Sequence, residues 1–164
     1  MRFNFRVKLR QFTVFIMMSH TQTLEGVTSR VGKNEHLIFW DLENCSLAEA
    51  ESKLGQIQKE FKLGNIFVTS DAQRSYRAWC FSKRSWIEYM HILIHTFPFL
   101  DYGFWVWTVR RGASTLGISN KEGRPPQRVV SFLKGYEETG IPESMVHVIY
   151  DTGLEKRGKV VKIG

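Results

Sequence analysis

The sequence predicts one α+β domain whose elements run β-α-β-β-α-β from residue 36, followed by an added strand, helix and strand. Three observations predict it. Ser46 with Glu49 and Ser85 with Glu88 carry the spacing of a helix capping box. Short apolar and aromatic runs before and between these helix starts have strand character. Two closely spaced strand pairs, 66–69 with 76–81 and 102–110 with 114–119, have the layout of antiparallel hairpins. The 164 residues suit a single domain, and a hydrophobic content of 43% is enough to build a core.

Residues 1–34 read as a poorly ordered leader or a short extra strand. Their apolar run is interrupted at Thr13 and followed by Ser19-His20-Thr21-Gln22, so it lacks the long apolar centre and small-residue cleavage site of a signal peptide. The domain is expected over 35–152. Leu37–Trp40 is a continuous apolar run, the pattern of a buried strand. After Ser46, the residues Leu47, Ala50, Leu54, Ile57 and Phe61 recur at helical spacing and form one apolar face, with Gly64 as the left-handed cap. Ile66–Thr69 is a strand, Ser70–Gln73 a turn, and Tyr76–Phe81 a strand that places Arg77, Trp79 and Phe81 on one face. Ser85 opens a second helix buried through Trp86, Tyr89, Met90 and Leu93 and stopped at Phe97-Pro98. Tyr102–Arg110 and Ser114–Ser119 form the second hairpin around Arg111-Gly112-Ala113. Pro125 and Pro126 start a third helix, where a missing amide costs nothing. Met145–Tyr150 is a last strand, and 153–164 is a basic mobile tail. This order is that of a ferredoxin-like (RRM-like) core, in which one sheet face carries two helices and the other is open to a ligand or to the third helix.

Charge points to the partner. The net charge is +7. Between Arg74 and Lys134 ten basic residues face three acids, Glu88, Asp101 and Glu122, so this stretch accounts for the whole excess. Such a concentration favours a polyanion, nucleic acid first. The two cysteines, Cys45 and Cys80, lack CxxC spacing, which argues against a disulfide scaffold or a cysteine zinc site and makes reduced cytoplasm the expected compartment. No run approaches the roughly 18 apolar residues of a membrane span, so a membrane is not among the expected partners, and no small-molecule cofactor is evident. His91 and His95 share a helix face, but Ile92 stands where a zinc-protease motif needs its glutamate.

The binding residues expected are Arg77, Trp79, Phe81, Lys83, Arg84, Trp105, Trp107, Arg110, Arg111, Lys121, Arg124 and Arg128. Rings on strands can stack on bases while Arg and Lys take phosphates, and cations about the start of the third helix suit an anion there. Trp79 or Trp105 is the ring expected to be exposed. Asp41, Glu43 and Asp71 are the candidate catalytic and metal-binding residues. Carboxylates at i and i+2 after a buried strand, with a third in the next turn, can share Mg²⁺ or Mn²⁺. Asp41 and Asn44 equally suit a turn and a helix cap.

The run Ile38-Phe39-Trp40-Asp41-Leu42-Glu43-Asn44-Cys45 resembles the first motif of NYN-domain ribonucleases, relatives of the PIN nucleases. That resemblance implies a metal-dependent nuclease with Asp41 on the metal. The family's later acidic cluster has only Ser70-Asp71 to correspond to it, and its alternating parallel strands differ from the hairpins read here. The element order, with acids near the first strand end, is also similar to the RRM-like palm of polymerases and of primases. That likeness implies nucleotidyl transfer or a part in DNA replication of a mobile element. The primase pattern's late histidine is missing from Thr108–Leu116. The reading on which these lines converge is a protein that binds single-stranded DNA or RNA. The alternatives are a metal-dependent nuclease and a module whose basic face binds an acidic protein.

Overall fold

The computed structural model describes residues 2–9, 12–19, 26–118 and 125–141. Strands β1 (Arg2–Leu9) and β2 (Phe12–Ser19) pair antiparallel, Arg2 opposite Ser19 and Leu9 opposite Phe12. The region read as a leader therefore holds a strand pair, and it also holds β3 (Gly26–Thr28).

The main sheet is built from β4 (His36–Glu43), β5 (Ile66–Ala72), β6 (Ser75–Arg84) and β8 (Arg128–Leu133), in the order β4-β6-β5-β8, antiparallel throughout. Helix α1 (Leu47–Phe61) carries the chain from β4 to β5, and β6 sits between those two strands. The two expected capping boxes are both present. Ser46 accepts from the amide of Glu49 and Ser85 from that of Glu88, while each glutamate accepts from its serine's amide. The second box opens α2 (Trp86–Ile94). The apolar faces read from spacing contribute Ala50, Leu54 and Ile57 from α1, and Tyr89 and Leu93 from α2, to one core cluster with Ile38, Trp40, Ile66, Val68 and Cys80.

Four local expectations change. The residue that ends α1 in the left-handed region is Lys62 (φ 50°), not Gly64. Gly64 is required for a different reason: a Cβ there would meet the Glu137 carbonyl at 2.9 Å and the Ser82 hydroxyl at 3.1 Å. The expected strand Tyr102–Arg110 is helix α3 (Tyr102–Arg111). Its aromatic and β-branched residues favour strand, but Asp101 caps the first turn through the Phe104 amide and Gly112 (φ 63°) closes the last. The partner expected for it, 114–119, instead forms β7 (Thr115–Gly117), which pairs with β3. The helix expected from Pro125 is strand β8. Proline also suits the approach to an edge strand, and β8 supplies hydrogen bonds to the side of β5 that β6 leaves free. The last strand and the tail lie outside the described residues.

Two features place the candidate site. The outer edge of β4 is covered by the segment that leads into α3. Glu43 N–H donates to Phe99 O (2.9 Å), Asp101 N–H donates to Asp41 O (2.8 Å), and Leu42 bridges Leu100. On one sheet face, Phe39, Trp79, Phe67 and Phe132 stand opposite one another across the four strands. Two residues along, the next row on that face is Asp41, Arg77 and Thr69. Tyr89 joins α2 to the strand edge, its hydroxyl donating to Phe39 O (2.9 Å) and lying 2.6 Å from the Ser114 hydroxyl.

Candidate nucleic-acid interface

Recognising 102–111 as a helix rearranges the candidate residues. Phe104, Trp107, Thr108 and Arg111 follow at spacings of three and four, so they share one face. Phe104 and Thr108 are buried, whereas Trp107 is 52% exposed. Two guanidiniums, three and four residues further on, stand against its ring: Arg110 at 5.4 Å and Arg111 at 5.0 Å from the centroid. Cations in a last helical turn complement the helix dipole, and the ring adds a cation–π attraction. The C-terminal cap is anchored from outside, since Arg30 Nη2 donates to Gly112 O (2.9 Å).

Beside Trp107 lies a cavity of about 330 Å³ lined by Asp41, Asp101, Gly103, Phe104, Trp107, Thr108, Arg111, Ala113 and Thr115. Asp41 reaches it from the end of β4, because that strand edge carries the segment entering α3. Thr115 comes from β7. The wall is thus one helix face, one strand end and one short strand, with two aspartates, one arginine and two aromatic residues.

The other expected binding residues are placed differently. Trp79 and Phe81 are buried. Trp79 Nε1 donates to Thr69 Oγ1 (3.0 Å) and its ring meets Phe39 edge-on, so it is core and offers no face to a base. Arg77 is buried as well. It pairs with Asp71 (3.6 Å) and donates to Gly117 O (3.1 Å), tying β7 to the sheet. Lys83 is exposed and pairs with Glu35; Arg84 is half-buried between Glu137 and the carbonyls at the end of α1. Trp105 is half-buried against Phe97. Arg128 is exposed at the start of β8. Lys121 and Arg124 lie outside the described residues.

The trio expected to hold Mg²⁺ or Mn²⁺ is not gathered. Glu43 is exposed, and Asp71 is 7% exposed against Arg77, which stands opposite Asp41 in the sheet. The chain's own cation thus lies between the strands of the two aspartates. Among the described residues, no three His, Cys, Asp or Glu side chains are placed to hold a metal ion together. No helix of the described residues is long and apolar enough to cross a membrane.

The sequence reading named Trp107, Arg110 and Arg111 but missed Asp101, Thr108 and Thr115. The available signal was the spacing 104, 107, 108, 111 behind an aspartate cap, which a strand assignment hides. Comparisons with family models, with curated proteins and with solved structures found no match.

Proposed function

We propose that this protein binds single-stranded nucleic acid across the exposed face of α3, on a core of ferredoxin-like, RRM-like type. The observation that carries the reading is the half-exposed Trp107 with Arg110 and Arg111 against its ring. A half-exposed indole can stack on a base of any type, and stacking is worth roughly 1–3 kcal/mol per base. The two guanidiniums beside it suit the phosphates that flank a stacked base. The net charge of +7 favours the same class of partner. The antiparallel sheet with β6 between β4 and β5 supports a core of this type, with α3 in place of its last strand and Leu100 bridged to the outer side of β4.

The test is fluorescence anisotropy with a labelled oligothymidine over a salt series. Affinity is expected to fall steeply with salt, because phosphate contacts release counterions. Replacing Arg110 and Arg111 by Ala should weaken binding and flatten the salt slope by about one unit per lost contact. Trp107→Ala should weaken binding by roughly tenfold and leave the slope nearly unchanged. Binding that ignores salt, or that survives all three substitutions, would overturn the reading. Inclusion of Mn²⁺ in one arm reads out cleavage, the outcome that a nuclease requires.

A further inference from the structure

The end of α3 holds more positive charge than a helix end can balance. Arg110 and Arg111 stand in its last turn, and Arg30 reaches it from outside, Nη2 donating to Gly112 O at 2.9 Å. A helix C-terminus carries about half a negative charge, against three guanidiniums here. The ion pairs found among the described residues involve Arg77, Lys83, Arg84 and His95, and none of these three. The backbone fixes where Arg30 stands. It lies in the connection between β3 and β4, bridged to His36 across a turn that Val31 N–H closes on Glu35 O (3.0 Å). Its neighbour Ser29 is joined to Ser114, two residues past Gly112. Ser29 N–H donates to Ser114 O (2.9 Å), and Ser114 N–H donates to Ser29 Oγ (3.1 Å). Both serines are buried, so the turn and the helix end are held as one unit. Arg30 itself is exposed. A guanidinium has five N–H donors, and the bond to Gly112 O occupies one of them.

We infer that the nucleic-acid site continues from α3 onto the turn between β3 and β4, with Arg30 on the phosphate that follows those at Arg110 and Arg111. The inference rests on the nucleic-acid reading above and deepens it, adding a second element and a third cation. Gly112 is five residues past Trp107, so a strand whose base stacks on that ring runs roughly 7.5 Å along the helix axis to reach the carbonyl that holds Arg30. Holding a carbonyl at a helix end is also a structural role open to arginine. The two roles differ in one measurable respect. A cap bond leaves the salt dependence of binding alone, whereas a phosphate contact releases counterions.

The experiment repeats the oligothymidine salt series with the full chain and three variants. Arg30→Gln should weaken binding and flatten the slope by about one unit, whereas Arg30→Lys, which keeps the charge, should keep the slope. Arg74 is the matched control. It is exposed, and its Nη2 donates to Asn44 O at the same 2.9 Å. Arg74→Gln therefore removes the same charge and the same kind of bond, and it should leave the slope unchanged. A second arm needs no substitution. Phenylglyoxal modifies exposed arginines, and bound oligothymidine should protect Arg30 along with Arg110 and Arg111, but not Arg74. If oligothymidine does not bind, the nucleic-acid reading fails and this inference with it. If it binds and the slope depends on Arg110 and Arg111 but not on Arg30, or Arg30 is modified as fast with oligothymidine as without, this inference alone fails. Equal flattening in Arg74→Gln and Arg30→Gln would also overturn it, because the effect would then belong to net charge.

Discussion

Arg77 carries its charge inside the sheet. Its position among Trp79 and Phe81 read as one strand face of a binding surface, yet all three are buried, and the guanidinium pairs with Asp71 and holds Gly117. Removing one partner of a buried ion pair leaves the other uncompensated. Asp71→Ala is therefore expected to lower stability by about 3 kcal/mol, and the double replacement Asp71→Leu with Arg77→Met to recover much of it. Urea denaturation of the two variants and of wild type checks this. His36 gives a second expectation at this scale. It is buried beside Trp86 and Tyr89, with Ser29 Oγ at 3.2 Å from Nδ1. Burial first, and the nearby charge of Arg30 second, lower its pKa. The folded chain therefore resists a proton that the unfolded chain accepts at the ordinary value of about 6.5. Stability should be full above that value and fall as pH drops through it toward the lower folded value. Wild type is expected to denature at lower urea at pH 5.5 than at pH 7.5, with a smaller difference in His36→Gln. An equal difference in both would remove His36 as the cause.

At the scale of elements, local signals decided α1 and α2. A serine cap with its glutamate three residues on needs only a few neighbouring residues to form, which is why both boxes were legible. Ser85→Ala is expected to cost about 1 kcal/mol, read as a shift of the urea midpoint without a change in slope. The elements that sequence reading assigned wrongly are those fixed from a distance. The run from Tyr102 to Arg111 is rich in strand-forming residues, and its helix combines the caps at Asp101 and Gly112 with the seating of Phe99–Asp101 along β4. Strand β8 follows a Pro-Pro pair that suits either a helix start or an edge strand, and the free side of β5, some sixty residues earlier in the chain, settles the choice. The candidate site was legible to the same degree. Trp107, Arg110 and Arg111 are conspicuous as residue types, whereas Asp101, Thr108 and Thr115 gain meaning only once α3 is a helix and β7 lies beside it. Gly112 holds that helix end at φ 63°. Gly112→Ala should cost about 1 kcal/mol or more, and it should weaken oligothymidine binding if the spacing of Arg110 and Arg111 about Trp107 depends on the cap.

For the whole molecule, the sheet order sets which parts open last. Strand β6 is paired on both sides, with β4 and with β5, whereas among the described residues β8 has a partner on one side only. Amide hydrogen exchange should be slowest in residues 77–80 and markedly faster in 128–133; equal protection in the two would contradict the order β4-β6-β5-β8. The edge of β4 has a different consequence. Asp101 N–H to Asp41 O and Glu43 N–H to Phe99 O tie the start of α3 to the strand end that carries Asp41, so two walls of the cavity are joined by backbone hydrogen bonds whether or not anything occupies it. A ligand entering there has little loop ordering to impose, and the entropy lost on binding is correspondingly small. Mixing experiments should then show a single phase whose rate rises linearly with oligonucleotide concentration, without the plateau that a slow opening step imposes. Trp107→Ala should shorten how long the complex lasts rather than slow its formation.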